Sequence, residues 1–424
     1  MARLAFFSPL PPTPSGISDY STTLLAGLTK LHDVDLYYER RSPPPRTLLP
    51  HSGRFPHDEF LWRNAQLPYD LPVYQMGNSL HHSYMHPFIF QYPGLLILHD
   101  LVIHHARGHV LLTRSRHDEY KAELEYCHPG LGRQVGDILA HIPSDFTCYQ
   151  FPMNKLMVDS SLAVGTHTRF GVEQLKEASP VKPVCFLRMG IDTPAEPPAA
   201  KTDLGDAWPI IASFGFITRE KRVDACLEAV KLLREKYPRL LYLLVGRRPR
   251  HYDPRPLIRK MGLVKNVRIT GAVDEDEFQA LLHAATVVLN LRYPSAREMS
   301  ASLLRALGAG RVTLVSDLLH LTGIPHDIAP RVDLFDEAVS IVKILGGLLA
   351  DTSELQRRGQ RARQFIDSNH RLEHMLADYA LAIDAAIAER PRFRLPESAP
   401  HHAQSLALRM RDILPEGLPP GLRL

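Results

Sequence analysis

The 424 residues hold only four cysteines, Cys127, Cys148, Cys185 and Cys226. No two form a Cys-x-x-Cys pair and none has zinc-finger spacing, so neither a disulfide framework nor a structural zinc site is expected. They read as free thiols of a reducing compartment. No apolar run approaches the roughly 20 residues that span a bilayer, which argues against an integral membrane protein. The opening run, Met1 to Pro9, is too short and too soon broken by proline for a signal peptide. No Gly-x-Gly-x-x-Gly follows a strand signal, which disfavours a nicotinamide dehydrogenase. The net charge of +4 is too mild to argue for nucleic acid, although it suits anionic ligands such as diphosphates or loose contact with an anionic membrane. Histidine is plentiful, at 22 residues. Yet His81, His82, His86, His99, His104, His105 and His109 match neither His-Glu-x-x-His nor another dense ligand pattern, and no Asp-x-Asp ends a strand, so no metal is expected.

What is present is alternation. The apolar run Leu4 to Phe7 reads as a buried strand, followed by a proline-rich loop ending at Gly16. Ile17, Tyr20, Leu24, Leu28 and Leu31 then recur at helical spacing, with Ser18 and Asp19 placed to serve the helix start, and Val34–Tyr38 reads as the next strand. Strand, glycine-bearing loop, helix and strand make a βαβ unit. Residues 41–70 read as an inserted loop. Strand signals return at Leu71–Met76, Gly94–Leu98, Ser161–Val164 and Val181–Leu187, and Leu101 to Pro152 reads as helices with loops. Thr193 to Ala200 is rich in proline and alanine and reads as a linker. Beyond it, strands are predicted at Ile210–Phe214, Leu240–Val245, Val267–Thr270, Val287–Leu291 and Val312–Val315, with helices near 221–236, 254–262, 275–285 and 299–309. Strands alternating with amphipathic helices require a parallel sheet covered on both faces. The fold class is therefore α/β, with two doubly wound domains at 1–192 and 193–365. Residues 366–424 supply a helix expected to return to the first domain, then a polar tail with one amphipathic piece near 402–413.

Ligands of doubly wound sheets bind at the strands' carboxyl ends, so the residues following each strand carry the functional reading. Gly16 opens a helix, where a phosphate could approach the amides and the positive helix end, though a plain turn glycine reads the same way. His99 and Asp100 end a strand, and His99 is the one histidine whose position argues for function. Gly215, Lys221 and Arg222 follow the first strand of the second half, where cations on an opening helical turn oppose the helix dipole and suggest an anionic ligand. The segment from Leu289 to Gly310 is the strongest. A strand ends at Arg292, a Pro-Ser turn follows, and the amides of Met299, Ser300 and Ala301 are expected to open a helix facing phosphate. Glu298 beside them would accept sugar hydroxyls, or be an ordinary helix-start acid.

Taken in order, Pro11 to Gly16, His99-Asp100, Met189-Gly190-Ile191-Asp192, Lys221 in Gly215-x5-Lys, and Pro294 to Gly310 resemble the retaining GT-B glycosyltransferases of glycosyltransferase family 4. The resemblance covers most of the chain and implies two Rossmann-like domains facing across a cleft. It implies a nucleotide-sugar donor held mainly by the second domain and a glycan or lipid-linked acceptor. Gly16 would offer its amide to the distal phosphate, His99 would lie near the transferred hexose, and Lys221 would neutralise the diphosphate. Glu298 would hold sugar hydroxyls, and the amides after it would cap the phosphate. No cofactor or metal is implied, and the setting would be cytoplasmic, with peripheral contact at the inner membrane face as an option. The sequence departs from the family pattern twice. Phe216 stands where an arginine is common, a role that Arg292 is expected to take over. The second glutamate of Glu-x7-Glu, which binds the ribose, is replaced, with Arg305 at the matching place and Ala306 eight residues after Glu298. A nucleotide-sugar epimerase on the same fold, or a degenerate nucleotide- or carbohydrate-binding protein, are the competing readings. A phosphorylase would need a pyridoxal-phosphate lysine, and no segment advertises one.

Overall fold

The computed structural model describes residues 1–45, 52–192, 194 and 198–404. The chain divides into two units. Unit 1 comprises Met1–Gly190, Ala296–Met299 and the residues from Leu372 onward, and unit 2 comprises Ile191–Ser295 and Ser300–Arg371.

Unit 1 is built on a parallel seven-stranded sheet in the order β3-β2-β1-β4-β5-β6-β7. Its strands are β1 (Arg3–Phe7), β2 (Asp33–Tyr38), β3 (Arg54–Pro56), β4 (Leu71–Met76), β5 (Leu95–Leu98), β6 (Ala163–Thr166) and β7 (Val184–Phe186). Leu4 pairs with both Val34 and Leu71, so β1 is central, and Leu4 to Phe7 are buried on both faces, as an unbroken apolar run requires. On one face Phe7, Tyr37, Phe60, Tyr74 and Phe88 form an aromatic cluster, with Phe7 stacked on Tyr37 at 4.9 Å. The first helix runs Gly16–Leu28, and its cap is Ser15, whose hydroxyl accepts from the Ile17 amide at 3.3 Å. This corrects the expected start at Ser18 and Asp19: Ser18 is buried inside the helix. The 41–70 stretch is more than a loop. Its described part carries β3 and a helix at Phe60–Gln66; β3 is three residues long, too short to show a period, and ends in proline, which only an edge strand tolerates. Helices at His104–Thr113, His117–Cys127, Gly132–His141 and Asp145–Gln150 fill the span after β5.

The helix Leu372–Glu389 belongs to unit 1. Its Asp378 accepts from the Arg188 amide at 2.9 Å and from both arms of the Arg188 guanidinium at 2.7 and 2.6 Å. Further on, Ala399 and Ala403 pack against Leu156, and His402 meets Glu123 at 2.6 Å. Residues 405–413 of the amphipathic piece, and Thr193 and residues 195–197 of the linker, lie outside the described residues.

Unit 2 carries a parallel six-stranded sheet in the order β10-β9-β8-β11-β12-β13. The strands are β8 (Ile210–Phe214), β9 (Leu241–Val245), β10 (Val267–Gly271), β11 (Val287–Asn290), β12 (Thr313–Ser316) and the two-residue β13 (Arg331–Val332), which the sequence pattern does not announce. Val223, Cys226, Leu227, Val230 and Leu233 form the expected buried stripe of the helix Val223–Lys236. That helix starts later than expected. Arg219–Lys221 is a separate 3-10 turn, and Arg222 breaks the two with a left-handed backbone at φ 55°. Lys221 and Arg222 are therefore not on its first turn, which removes the predicted conflict with the helix dipole. Arg222 instead pairs with the buried Glu337 at 2.7 Å. Among the described residues no helix is long and apolar enough to cross a membrane.

The buried Arg107–Glu123 pair of unit 1 sets a pH response. Arg107 Nε donates to Glu123 at 2.8 Å, and His402 approaches the other carboxylate oxygen. Burial alone would raise the Glu123 carboxyl, but the Arg107 charge and hydrogen bond, then His402, outweigh it and hold it at about 2. The folded value lies below the unfolded one of about 4.3, so this contribution is complete above that pH and drains away as pH falls toward 2. Glu123→Gln should destabilise unit 1 at pH 6, and the gap to the native protein in urea denaturation should narrow between pH 5 and 3. A gap that stays constant with pH would refute the assignment.

Candidate functional site

In both sheets the strand order reverses beside the first strand of the unit: between β1 and β4 in unit 1, and between β8 and β11 in unit 2. A crevice forms at such a reversal, outside the carboxyl ends of the strands, and ligands of open α/β sheets bind there.

In unit 2, β8 ends at Phe214 and the chain turns at Gly215, with φ +92°. A Cβ there would stand 2.7 Å from Lys221 Nζ, so both the backbone angle and the space call for glycine. The neighbouring Gly246 is equally constrained, since a Cβ would come 2.1 Å from the Gly215 carbonyl oxygen. The turn is pinned from two sides. Ile217 N donates to Arg247 O at 2.8 Å, and Tyr293 N, just past β11, donates to Glu220 O at 2.7 Å. Lys221 is thereby folded back over its own strand, where Nζ donates to the Phe214 carbonyl. Burial first, and the Arg292 charge second, pull Lys221 from its ordinary 10.5 down to about 7. Arg292 is fixed at the end of β11 by its amide, which donates to Ser316 Oγ at 2.9 Å. Gly215, Lys221 and Arg292 thus all follow strand ends beside the reversal point, close enough for the Arg292 charge to act on Lys221. Phe216 is 48% exposed.

The helix expected from 299 begins at Ala301 and runs to Gly308. Ser300 is its cap, accepting from Leu303 N at 3.4 Å and touching Ser302 Oγ at 3.0 Å, which in turn accepts from Asn290 of β11 at 3.0 Å. Met299 precedes the cap, so Ser300 and Ala301, but not Met299, belong to the helix start. The segment Ala296–Met299, which includes Glu298, groups with unit 1. It is attached there through the Ala296 carbonyl, which accepts from Leu101 N and Val102 N at 2.9 and 3.1 Å. Glu298 and His99 therefore share unit 1, with the loop after β5 between them. Arg305 pairs with Glu275 and lies 3.8 Å over the Phe278 ring, which packs on Phe214 at 4.9 Å.

In unit 1, Gly16 is the first residue of its helix, and a Cβ added there would meet nothing within 4 Å. Nothing in the protein's own packing demands glycine. His99 sits in a buried polar chain that the sequence did not reveal. His99 Nε2 is 2.8 Å from the Gln75 amide, Nδ1 is 3.1 Å from His167 Nε2, and His167 Nδ1 is 2.8 Å from the Leu187 carbonyl. Gln75 also meets Tyr379 at 3.2 Å, and Tyr379 meets Tyr20 at 2.9 Å. Burial, then His167 and His82, push His99 well below its ordinary value, so it is neutral. The Leu187 carbonyl only accepts, so His167 Nδ1 carries a hydrogen. Both His99 nitrogens are thus held by protein partners.

Residues 209–339 match the sequence family described as "Glycosyl transferases group 1". No curated protein matches the chain. Among solved structures, sucrose-phosphate synthase from Thermosynechococcus elongatus superposes with a TM-score of 0.66, at 16% identity over 92% of this chain and 100% of that one. HepE from Anabaena, in complex with UDP and glucose, gives a TM-score of 0.65 at 13% identity, covering 91% of this chain and 100% of that one. WaaG, a glycosyltransferase involved in lipopolysaccharide biosynthesis, gives 0.56 at 14% identity, covering 90% and 98%. The fold is that of the GT-B glycosyltransferases. At such identities the likeness establishes architecture, and the site must be argued from this chain's own residues.

The Lys221 environment makes a direct prediction. At pH 8 a group titrating at about 7 is mostly neutral. A bound diphosphate would favour the charged form and raise that value, so binding must take up protons. Calorimetry of UDP binding at pH 8, in buffers of differing ionisation enthalpy, should show uptake approaching one proton. Lys221→Arg should show none. Zero uptake by the native protein, with UDP bound, would place Lys221 away from the phosphates.

Proposed function

We propose that this chain is a glycosyltransferase that moves a sugar from a nucleoside-diphosphate donor to an acceptor hydroxyl. The observation carrying this reading is the placement of Lys221 and Arg292 just past the two strands that flank the reversal point of unit 2, with Lys221 folded back onto the Phe214 carbonyl and lowered by desolvation first and the Arg292 charge second. An anion there relieves both costs at once. The family match over 209–339 lies on the same segment, and the UDP complex of HepE supports a nucleotide donor.

As the glycosidic bond to phosphate breaks, negative charge grows on the departing diphosphate. Lys221, Arg292 and the start of the helix at Ala301 are cationic or dipolar groups fixed before the reaction, which is the arrangement that lowers such a barrier. They do the work a divalent metal does elsewhere, so turnover is proposed to be metal-free. Glu298 accepts hydroxyls of the transferred sugar. His99, with both nitrogens committed, acts as a rigid neutral wall near that sugar. Retention follows if the acceptor attacks the face the phosphate leaves, with a phosphate oxygen taking the acceptor proton. The setting we propose is the cytoplasm, with at most peripheral contact with the inner membrane face.

A second reading has one specific observation in its favour. Arg305 occupies the place of a carboxylate, and its charge is engaged by Glu275. A protein that binds nucleotide without turnover would tolerate that change. Donor hydrolysis over a panel of UDP- and GDP-sugars separates the two, since only an enzyme releases free sugar. In that assay EDTA should leave the rate unchanged. Arg292→Ala should weaken UDP binding by roughly 10- to 100-fold, the equivalent of about 1.5–3 kcal/mol for a charge-assisted contact. Adding Phe216→Arg should recover part of the loss. UDP binding by Arg292→Ala as tight as the parent's would remove Arg292 from the donor site.

A further inference from the structure

Unit 2 has a groove of about 630 Å³ between the segment leading into its edge strand β13, the helix Glu337–Ala350 and the start of the helix Thr352–Asn369. That volume lies in the range of small-molecule sites. The groove is separate from the proposed donor residues. Arg331 opens β13, and β12 stands between that strand and β11. Its long wall is one face of the helix Glu337–Ala350, where Lys343 and Gly347 stand one turn apart, as do Ile344 and Leu348.

The charges lining the groove do not balance. Arg331 is fixed by three backbone carbonyls. Its Nη1 donates to Ala329 at 2.6 Å, and its Nη2 donates to Leu321 and Ile324 at 2.6 and 2.8 Å. A carbonyl satisfies a donor without supplying a counter-charge, and Arg331 forms no ion pair among the described residues. Burial lowers it from its ordinary value, and Asp317 offsets that only in part. Lys343 is exposed and makes neither a hydrogen bond nor an ion pair among the described residues. The other charged groups are engaged. Arg358 pairs with Glu354 at 2.9 Å, and Glu354 also meets Arg357 and Arg361. Asp351 accepts from the Glu354 amide at 2.9 Å and so caps the helix Thr352–Asn369. Gly346 and Gly347 are an independent sign. Glycine inside a helix is costly, and packing does not call for it here, since a Cβ at either position would meet nothing within 4 Å. At Gly347 the space left open is the groove.

We infer that this groove binds a phosphate monoester with an apolar body, either a soluble ester or a lipid headgroup. Such an ester carries about 1.5 to 2 negative charges at pH 7, which matches two uncompensated cations better than a single carboxylate does. The phosphate would take its contacts from Arg331 and Lys343. Three of the five guanidinium donors of Arg331 are committed to carbonyls, which leaves two for the ligand on a group already held in place. The apolar body would lie on Ile344 and Leu348, in the room that Gly347 leaves. Asp351, two turns beyond Lys343, repels the phosphate from that end and so sets the ligand's direction. No bond is made or broken there, and the inference does not depend on the glycosyltransferase reading.

Titration calorimetry of the full chain with phenyl phosphate, and co-sedimentation with phosphatidylcholine vesicles with and without phosphatidic acid, test it. Phenyl phosphate alone should bind if the source is soluble, and the phosphatidic acid vesicles should also carry the protein down if it is a lipid. Lys343→Glu and Gly347→Leu should each weaken the binding at least tenfold, the first by reversing the charge and the second by filling the groove. Lys221→Ala should leave it unchanged. Both groove variants should melt no lower than the native chain, because Lys343 has no partner to lose and the Gly347 site has space to fill. The site is overturned if neither probe binds, if binding survives Lys343→Glu or Gly347→Leu, or if it is lost in Lys221→Ala.

Discussion

Lys221 donates to a backbone carbonyl of the strand it follows, is half-buried there, and feels the Arg292 charge. Much of unit 2 serves to maintain that uncomfortable arrangement. Gly215 lies close under Nζ, and Gly246 lacks a side chain where a Cβ would strike the Gly215 carbonyl. Ile217 and Tyr293 tie the turn to the ends of β9 and β11. Arg222, which sequence alone would pair with Lys221 as a second ligand cation, is turned away by its left-handed backbone and neutralised by Glu337. A protein that merely needed a surface lysine would not restrain its surroundings at so many points.

The same neighbourhood explains how the departures from the family pattern are accommodated. Phe216 projects outward, so no guanidinium is supplied from that side of the turn. Arg292 stands past the end of the adjacent strand, on the other side of the reversal point. Arg305 cannot act as a hydrogen-bond acceptor, and its guanidinium is spent on Glu275 and on the Phe278 ring.

The alternation of strands and helices in unit 2 was legible because its strands are unbroken apolar runs and its helices carry clean stripes, as in Val223 to Leu233. Residues that follow strands closely, such as Gly215, Lys221 and Arg292, could be picked out because topology alone places strand ends at a crevice. Local details were less accessible. Ser15 and Ser18 are both capable caps, and packing rather than chemistry decided for Ser15. The strands β3 and β13 are too short to show a period. The chain through Tyr20, Tyr379, Gln75, His99 and His167 had no local signal, since Gln75 and Tyr379 stand 304 residues apart. Nor could spacing show that Glu298 sits in a segment held by the loop after β5.

The helix Leu372–Glu389 has an implication for the order of events during synthesis. Tyr379 completes the polar chain that reaches His99 through Gln75, and Asp378 satisfies Arg188, so unit 1 is unfinished until the helix Leu372–Glu389 has been made. The stretch between Ile191 and Arg371 gives the short excursion Ala296–Met299 to unit 1, and the strands of unit 2, β8 to β13, all precede that helix in the chain. Domains usually fold in the order they are made. Here the second-made unit is free to fold first, while the first-made one waits, with Gln75 lacking Tyr379, for a helix that follows both sheets in the chain.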